Sequence, residues 1–121
     1  MQLKTSRKSA FTLVEIMIVV AIIGLLAAIA IPNFIKAREI SQRNACIANL
    51  KQIDGAKNTW ALENKKVSSD VCDGPTDLYG AAKYIRTAPA CPANGTYTVG
   101  IVSAQPSCTL SAAPNLHLLP P

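Results

Sequence analysis

The stretch "RKSAFTLVEIMIVVAIIGLLAAIAIPNF", Arg7 to Phe34, decides how this chain is read. From Phe11 to Ile31 it runs for 21 residues with a single charged side chain, Glu15. A helix of that length measures about 31 Å, which matches the roughly 30 Å hydrocarbon core of a bilayer. Lys4, Arg7 and Lys8 precede it, and basic residues flanking a span stay on the cytoplasmic side. Pro32 closes the run; proline lacks an N–H and clashes with the preceding helical turn. A carboxylate costs about 2.5–3.5 kcal/mol at the centre of a span and less near an end. Glu15 therefore calls for a partner, or for a place at the interface from which it reaches water.

Two ordinary readings account for part of this pattern. One is a simple transmembrane anchor. The other is a secretory signal peptide, with Ala28-Ile29-Ala30 as a small-x-small cleavage site. Cleavage after Ala30 would free a secreted binding domain. The uncharged core from Ile16 onward is long for a signal peptide, and Glu15 sits at its front edge.

The detailed order supports a third reading. "SAFTLVEIMIVVAIIGLLAAIAIPNF" resembles the N-terminal signature of type IV pilins and of their relatives, the type II secretion and competence pseudopilins. Phe11, Thr12, Leu13, Glu15, Gly24 and Pro32 stand where that family has them. Ala10 departs from the pattern, because the family usually has Gly there. The resemblance implies that a prepilin peptidase cuts between Ala10 and Phe11 and N-methylates Phe11. It implies a homo-oligomeric helical filament built through Phe11, Thr12, Leu13 and Glu15, with Glu15 of one subunit against the Phe11 amine of a neighbour. That pairing would remove two lone charges from an apolar setting at once. The resemblance further implies that the helix is partly extended between Gly24 and Pro32 inside filaments. It implies a precursor held in the inner membrane, with an assembly platform there as partner. Two functions fit: a subunit of a type IV pilus-like filament, or a pseudopilin of a type II secretion system. The expected location is a single-pass inner-membrane protein whose C-terminal domain lies outside the cytoplasm, then a pilus or a periplasmic or extracellular filament.

Beyond Pro32 the apolar positions Cys46, Leu50, Ile53, Ala56 and Trp60 fall on one helical face, with Ile40 and Ile47 at its edges. Lys36, Arg38, Arg43, Lys51 and Lys57 are expected on other sides. Composition shifts at Val67 to Gly, Pro, Ser, Thr and Asp, the residues of turns. Residues 77–86 read as a short helical turn with Leu78 and Ile85 inward. "GTYTVGIV" has strand composition, with Asn94-Gly95 as a turn before it and a second strand around 108–110. The expected class is α+β: a long N-terminal helix packed on a small antiparallel head. The segments are a leader, 1–10, an assembly helix, 11–31, an amphipathic continuation, 32–66, and a head, 67–121.

A head this small usually needs staples. Cys46, Cys72, Cys91 and Cys108 contain no C-x-x-C pair, which argues against a zinc site and for disulfides. Four cysteines allow three pairings. The favoured one is Cys91–Cys108, closing the base of the expected hairpin across 18 residues, a closure of about 3 kcal/mol in the chain-entropy model. Elimination leaves Cys46–Cys72. Asp70, Asp73 and Asp77 lack the spacing of a calcium loop and read as solvated. Residues 11–121 hold nine Lys or Arg against seven Asp or Glu, with no basic run interleaved with aromatics, so no nucleic-acid partner is expected. No metal, cofactor or catalytic constellation is expected.

Overall fold

The computed structural model describes residues 9–112 and 116–121. Most of the expected leader, residues 1–8, lies outside the described residues. The chain forms two compact units, Met1–Lys36 and Ala37–Pro121. One helix, α1, spans Leu13–Glu63, and Pro32 lies inside it.

Among the described residues, the large apolar side chains of α1 from Leu13 to Ile35 are exposed. An 18-residue window there has a mean hydropathy of 2.9 with none of it buried. Burying one Leu or Ile is worth about 1.5–3 kcal/mol. A surface of this size is stable only against lipid or other chains, and the segment is long and apolar enough to cross a membrane. Residues 25–31 are helical here.

In the second unit α1 lays one face against the head. Cys46, Leu50, Ile53 and Trp60 are buried there, as their spacing predicts, together with Ala61. Ala56 is only half-buried. The residue beside it, Lys57, is fully buried, against the expectation that it decorates an outer side. The helix ends at Glu63, three residues before the expected boundary at 66. Lys65 takes φ +52°, its N–H donates to Leu62 O at 3.4 Å, and the Lys66 N–H donates to Ala61 O at 2.8 Å. This pair of bonds is a Schellman stop, which returns the last carbonyls to hydrogen bonding.

The head is mostly loop. β1 (Tyr97–Thr98) pairs antiparallel with β2 (Ser107–Cys108), with Tyr97 opposite Cys108. The longer strand expected over "GTYTVGIV" breaks at Gly100, whose φ is +74°. Beyond it, Ile101 bridges Val71 instead. The expected turn over 77–86 is displaced to a five-residue π-turn, Gly74–Leu78. The Asp77 carboxylate accepts the Asp73 N–H at 2.8 Å, and Thr76 Oγ1 donates to Asp73 at 2.8 Å, which fixes the turn early. Residues 79–85 then close as a bridge between Tyr79 and Ile85. Leu78 and Ile85 do point inward. One core cluster gathers Ile53, Trp60, Ala61, Cys72, Leu78, Ile85 and Val99. A second gathers Cys46, Leu50, Cys91 and Cys108.

Candidate functional site

The expected assembly residues stand at the start of α1. Ala10, Phe11 and Thr12 precede the first helical residue, Leu13. Thr12 and Glu15 bind each other. The Thr12 N–H and its hydroxyl both donate to Glu15 Oε2, each at 2.8 Å, and the Glu15 N–H donates to Thr12 Oγ1 at 3.3 Å. This is a capping box, in which the N-cap and the residue three positions on satisfy orphan helix donors reciprocally. The sequence carried the signal as Thr-x-x-Glu, yet the reading of Glu15 as a lone charge missed it. Glu15 thus has a partner within its own chain, and its second oxygen, Oε1, takes no part in the box.

Three of the four cysteines meet in the second unit. Cys46 from α1, Cys91 from the loop before β1 and Cys108 from β2 lie together with His117. Their ligand atoms are all within 4.8 Å of one another, and all four residues are buried. Cys91 Sγ stands 3.7 Å from His117 Nδ1. The expected partners Cys91 and Cys108 are thus adjacent. Cys46 and Cys72 are not brought together: Cys72 packs in the other core cluster. All four cysteines are present as thiols. Burial pushes the Cys46 thiol up to about 12. Burial also acts to raise Cys91, but hydrogen bonds from the backbone N–H groups of Ala93 and Gly95, and from the neighbouring thiols, outweigh it and hold the group below its usual range. Asn94 at φ +62° forms the turn that aims these amides. Gly95 is required by close approach, since a Cβ there would lie 2.5 Å from Cys108 Sγ and 3.2 Å from Cys91 Sγ. No linear spacing announces this cluster, because its members come from four separate segments.

Lys57 was also missed. Its ammonium donates to three carbonyls of one loop: Val99 O at 3.5 Å, Ile101 O at 3.2 Å, and Ala104 O. Asp54 lies 3.7 Å away as counter-charge. The signal was available: Cys46, Leu50, Ile53, Lys57 and Trp60 follow one another by steps of 4, 3, 4 and 3, a more regular stripe than the one drawn through Ala56. The acidic loop residues serve local structure, with Asp70 accepting the Val67 N–H at 2.9 Å.

The chain thus combines a capped apolar helix with a small, mostly loop head. Residues 5–31 match the family described as the prokaryotic N-terminal methylation motif. The chain is 50% identical over 62 residues to the type IV major pilin protein PilA of Myxococcus xanthus, covering 51% of this chain and 28% of that one. It is 29% identical over 102 residues to the type II secretion system core protein G of Klebsiella pneumoniae, covering 75% and 73%. It is 45% identical over 67 residues to the type IV major fimbrial protein FimA of Dichelobacter nodosus, covering 55% and 41%. No solved structure matches the chain. The N-terminal segment carries the methylation motif and is similar to the same segment of type IV pilins and type II secretion core proteins, and the chain spans less than a third of the length of the Myxococcus pilin.

Proposed function

We propose that this chain is a non-enzymatic filament subunit, held in the inner membrane as a precursor and assembled through α1 into a type IV pilus-like polymer. The observation that carries the reading is the methylation motif on an apolar helix that no described residue of its own unit covers. A prepilin peptidase would cut between Ala10 and Phe11 and methylate Phe11, leaving Thr12 and Glu15 in the mature chain. The basic residues before the span would stay in the cytoplasm and the head would lie outside it. An assembly platform in the inner membrane would then draw subunits into the filament.

Glu15 is proposed to contact the Phe11 amine of a neighbouring subunit through the oxygen that the capping box leaves over. The box makes the test sharper. Gln at position 15 also completes a capping box, so Glu15→Gln removes the charge and keeps the cap, while Glu15→Ala removes both. Cleavage is expected to survive in both variants and filaments to fail in both, read by mass spectrometry of the mature N-terminus and by electron microscopy. Normal filaments from Glu15→Gln beside failed ones from Glu15→Ala would reassign Glu15 to capping alone. A mature chain beginning at Ile31 would end the filament reading.

A second reading has its own support. The similarity to the Klebsiella core protein G reaches past the helix into the head, over 102 residues. It favours a pseudopilin of a type II secretion system. Deleting the chain would then abolish export of secreted proteins and leave surface pili intact.

A further inference from the structure

We propose that Cys46, Cys91, Cys108 and His117 form a structural Zn²⁺ site that ties the head of this subunit together. The four residues come from α1, from the turn before β1, from β2 and from the segment 116–121. Each presents one ligand atom, and all lie within 4.8 Å of one another in a buried setting. In a tetrahedral zinc centre, with Zn–S about 2.3 Å and Zn–N about 2.0–2.1 Å, neighbouring donor atoms stand about 3.5–3.8 Å apart. The Cys91 Sγ to His117 Nδ1 separation of 3.7 Å falls in that range.

The donor set is a zinc set. Three thiolates and an imidazole select Zn²⁺ over the hard cations that prefer oxygen. Binding releases the three thiol protons to solvent and changes no oxidation state, so no oxidant or reductant is needed.

The surroundings are those of a metal site rather than of a disulfide. The turn at Cys91 is closed by the Asn94 N–H, which donates to Cys91 O at 3.1 Å, with Asn94 at φ +62°. Tyr97 packs against the cluster that holds Cys46, and its hydroxyl accepts from Asn49 Nδ2 at 3.1 Å. Asn49 Nδ2 also donates to Ala90 O at 3.0 Å, one residue before Cys91. Gly95 is the residue that leaves room for Cys108 Sγ. A Cys91–Cys108 disulfide would use two of the four groups and leave the Cys46 thiol and the His117 ring buried beside it without a common purpose. A metal uses all four. It also explains why a histidine from a segment of little regular structure is 97% buried, at 3% relative exposure.

The test uses the full chain, purified in detergent without chelator or reductant. Equimolar zinc is expected by elemental analysis, with Cys46, Cys91 and Cys108 protected from alkylation until a chelator is added. Exchange for Co²⁺ should give the visible absorption of a tetrahedral thiolate site. Cys72→Ser, which lies outside the cluster, should retain the metal. His117→Ala should weaken Zn²⁺ binding by more than the about 10–100-fold lost with an outer-sphere partner. Cys46→Ser separates the two chemistries, because a Cys91–Cys108 disulfide does not need Cys46. Zinc-free wild type with an intact mass lower by two hydrogens would overturn the proposal, as would equal zinc in wild type and Cys46→Ser.

Discussion

Lys57 shows how a charged side chain can serve as a core residue. Its stem lies on the buried stripe of α1 while its ammonium gathers three carbonyls from residues 99–104. Those carbonyls belong to a loop with little ladder bonding of its own, so the lysine substitutes for strand partners. Lys57→Met keeps most of the volume and strands the acceptors. A buried group left unpaired costs about 1–3 kcal/mol, so the variant should melt at a lower temperature by that amount of stability, measured on the full chain in detergent. An unchanged melting temperature would mean that water satisfies the loop. The sequence hid Lys57 because a charged residue on an apolar stripe is usually a break in the stripe. Glu15 was hidden for the opposite reason: its charge drew all the attention, and the Thr12 partner three residues earlier did not.

The long helix was the most legible element. Its apolar run and its later stripe of Cys46, Leu50, Ile53 and Trp60 both obey helical periodicity, and the burial follows it. The helix even carries through Gly55, which is exposed and whose Cβ would meet nothing within 4 Å. Gly55→Ala should therefore stabilise the second unit by about 0.5–1 kcal/mol, read as a rise in melting temperature. A fall would point to a neighbouring chain packed close against that glycine. The strands were legible only as composition. Their lengths depend on where positive-φ residues interrupt them, and Gly100 cuts β1 short by sending the chain to Val71. The turn at Gly74–Leu78 was misplaced because two side-chain bonds, from Asp77 and Thr76, fix it, and such bonds leave no periodic trace.

At the scale of the whole chain the fold class was readable and the grouping of the cysteines was not. Thiols from α1, a turn and a strand converge through tertiary contacts, and spacing along the chain carries no record of them. Cys72, kept apart, makes a separate prediction. Burial, with the nearby Asp77 charge, pushes its thiol from 9.0 up to about 11. The neutral thiol is thus favoured by folding. Its contribution is complete below the unfolded value and is lost as pH rises from about 9 to about 11. Stability should decline over that window, and Cys72→Ala should flatten the decline; an identical slope in the variant would exclude Cys72 as its source. The Thr12–Glu15 box has a consequence of its own for the processing proposed above. By fixing the first helical turn at Leu13, it leaves the Ala10–Phe11 bond in open chain. If the chain is cut there as proposed, the box would act as a backstop: the bonds ahead of Leu13 would meet the peptidase as unwound backbone, and those after it as helix.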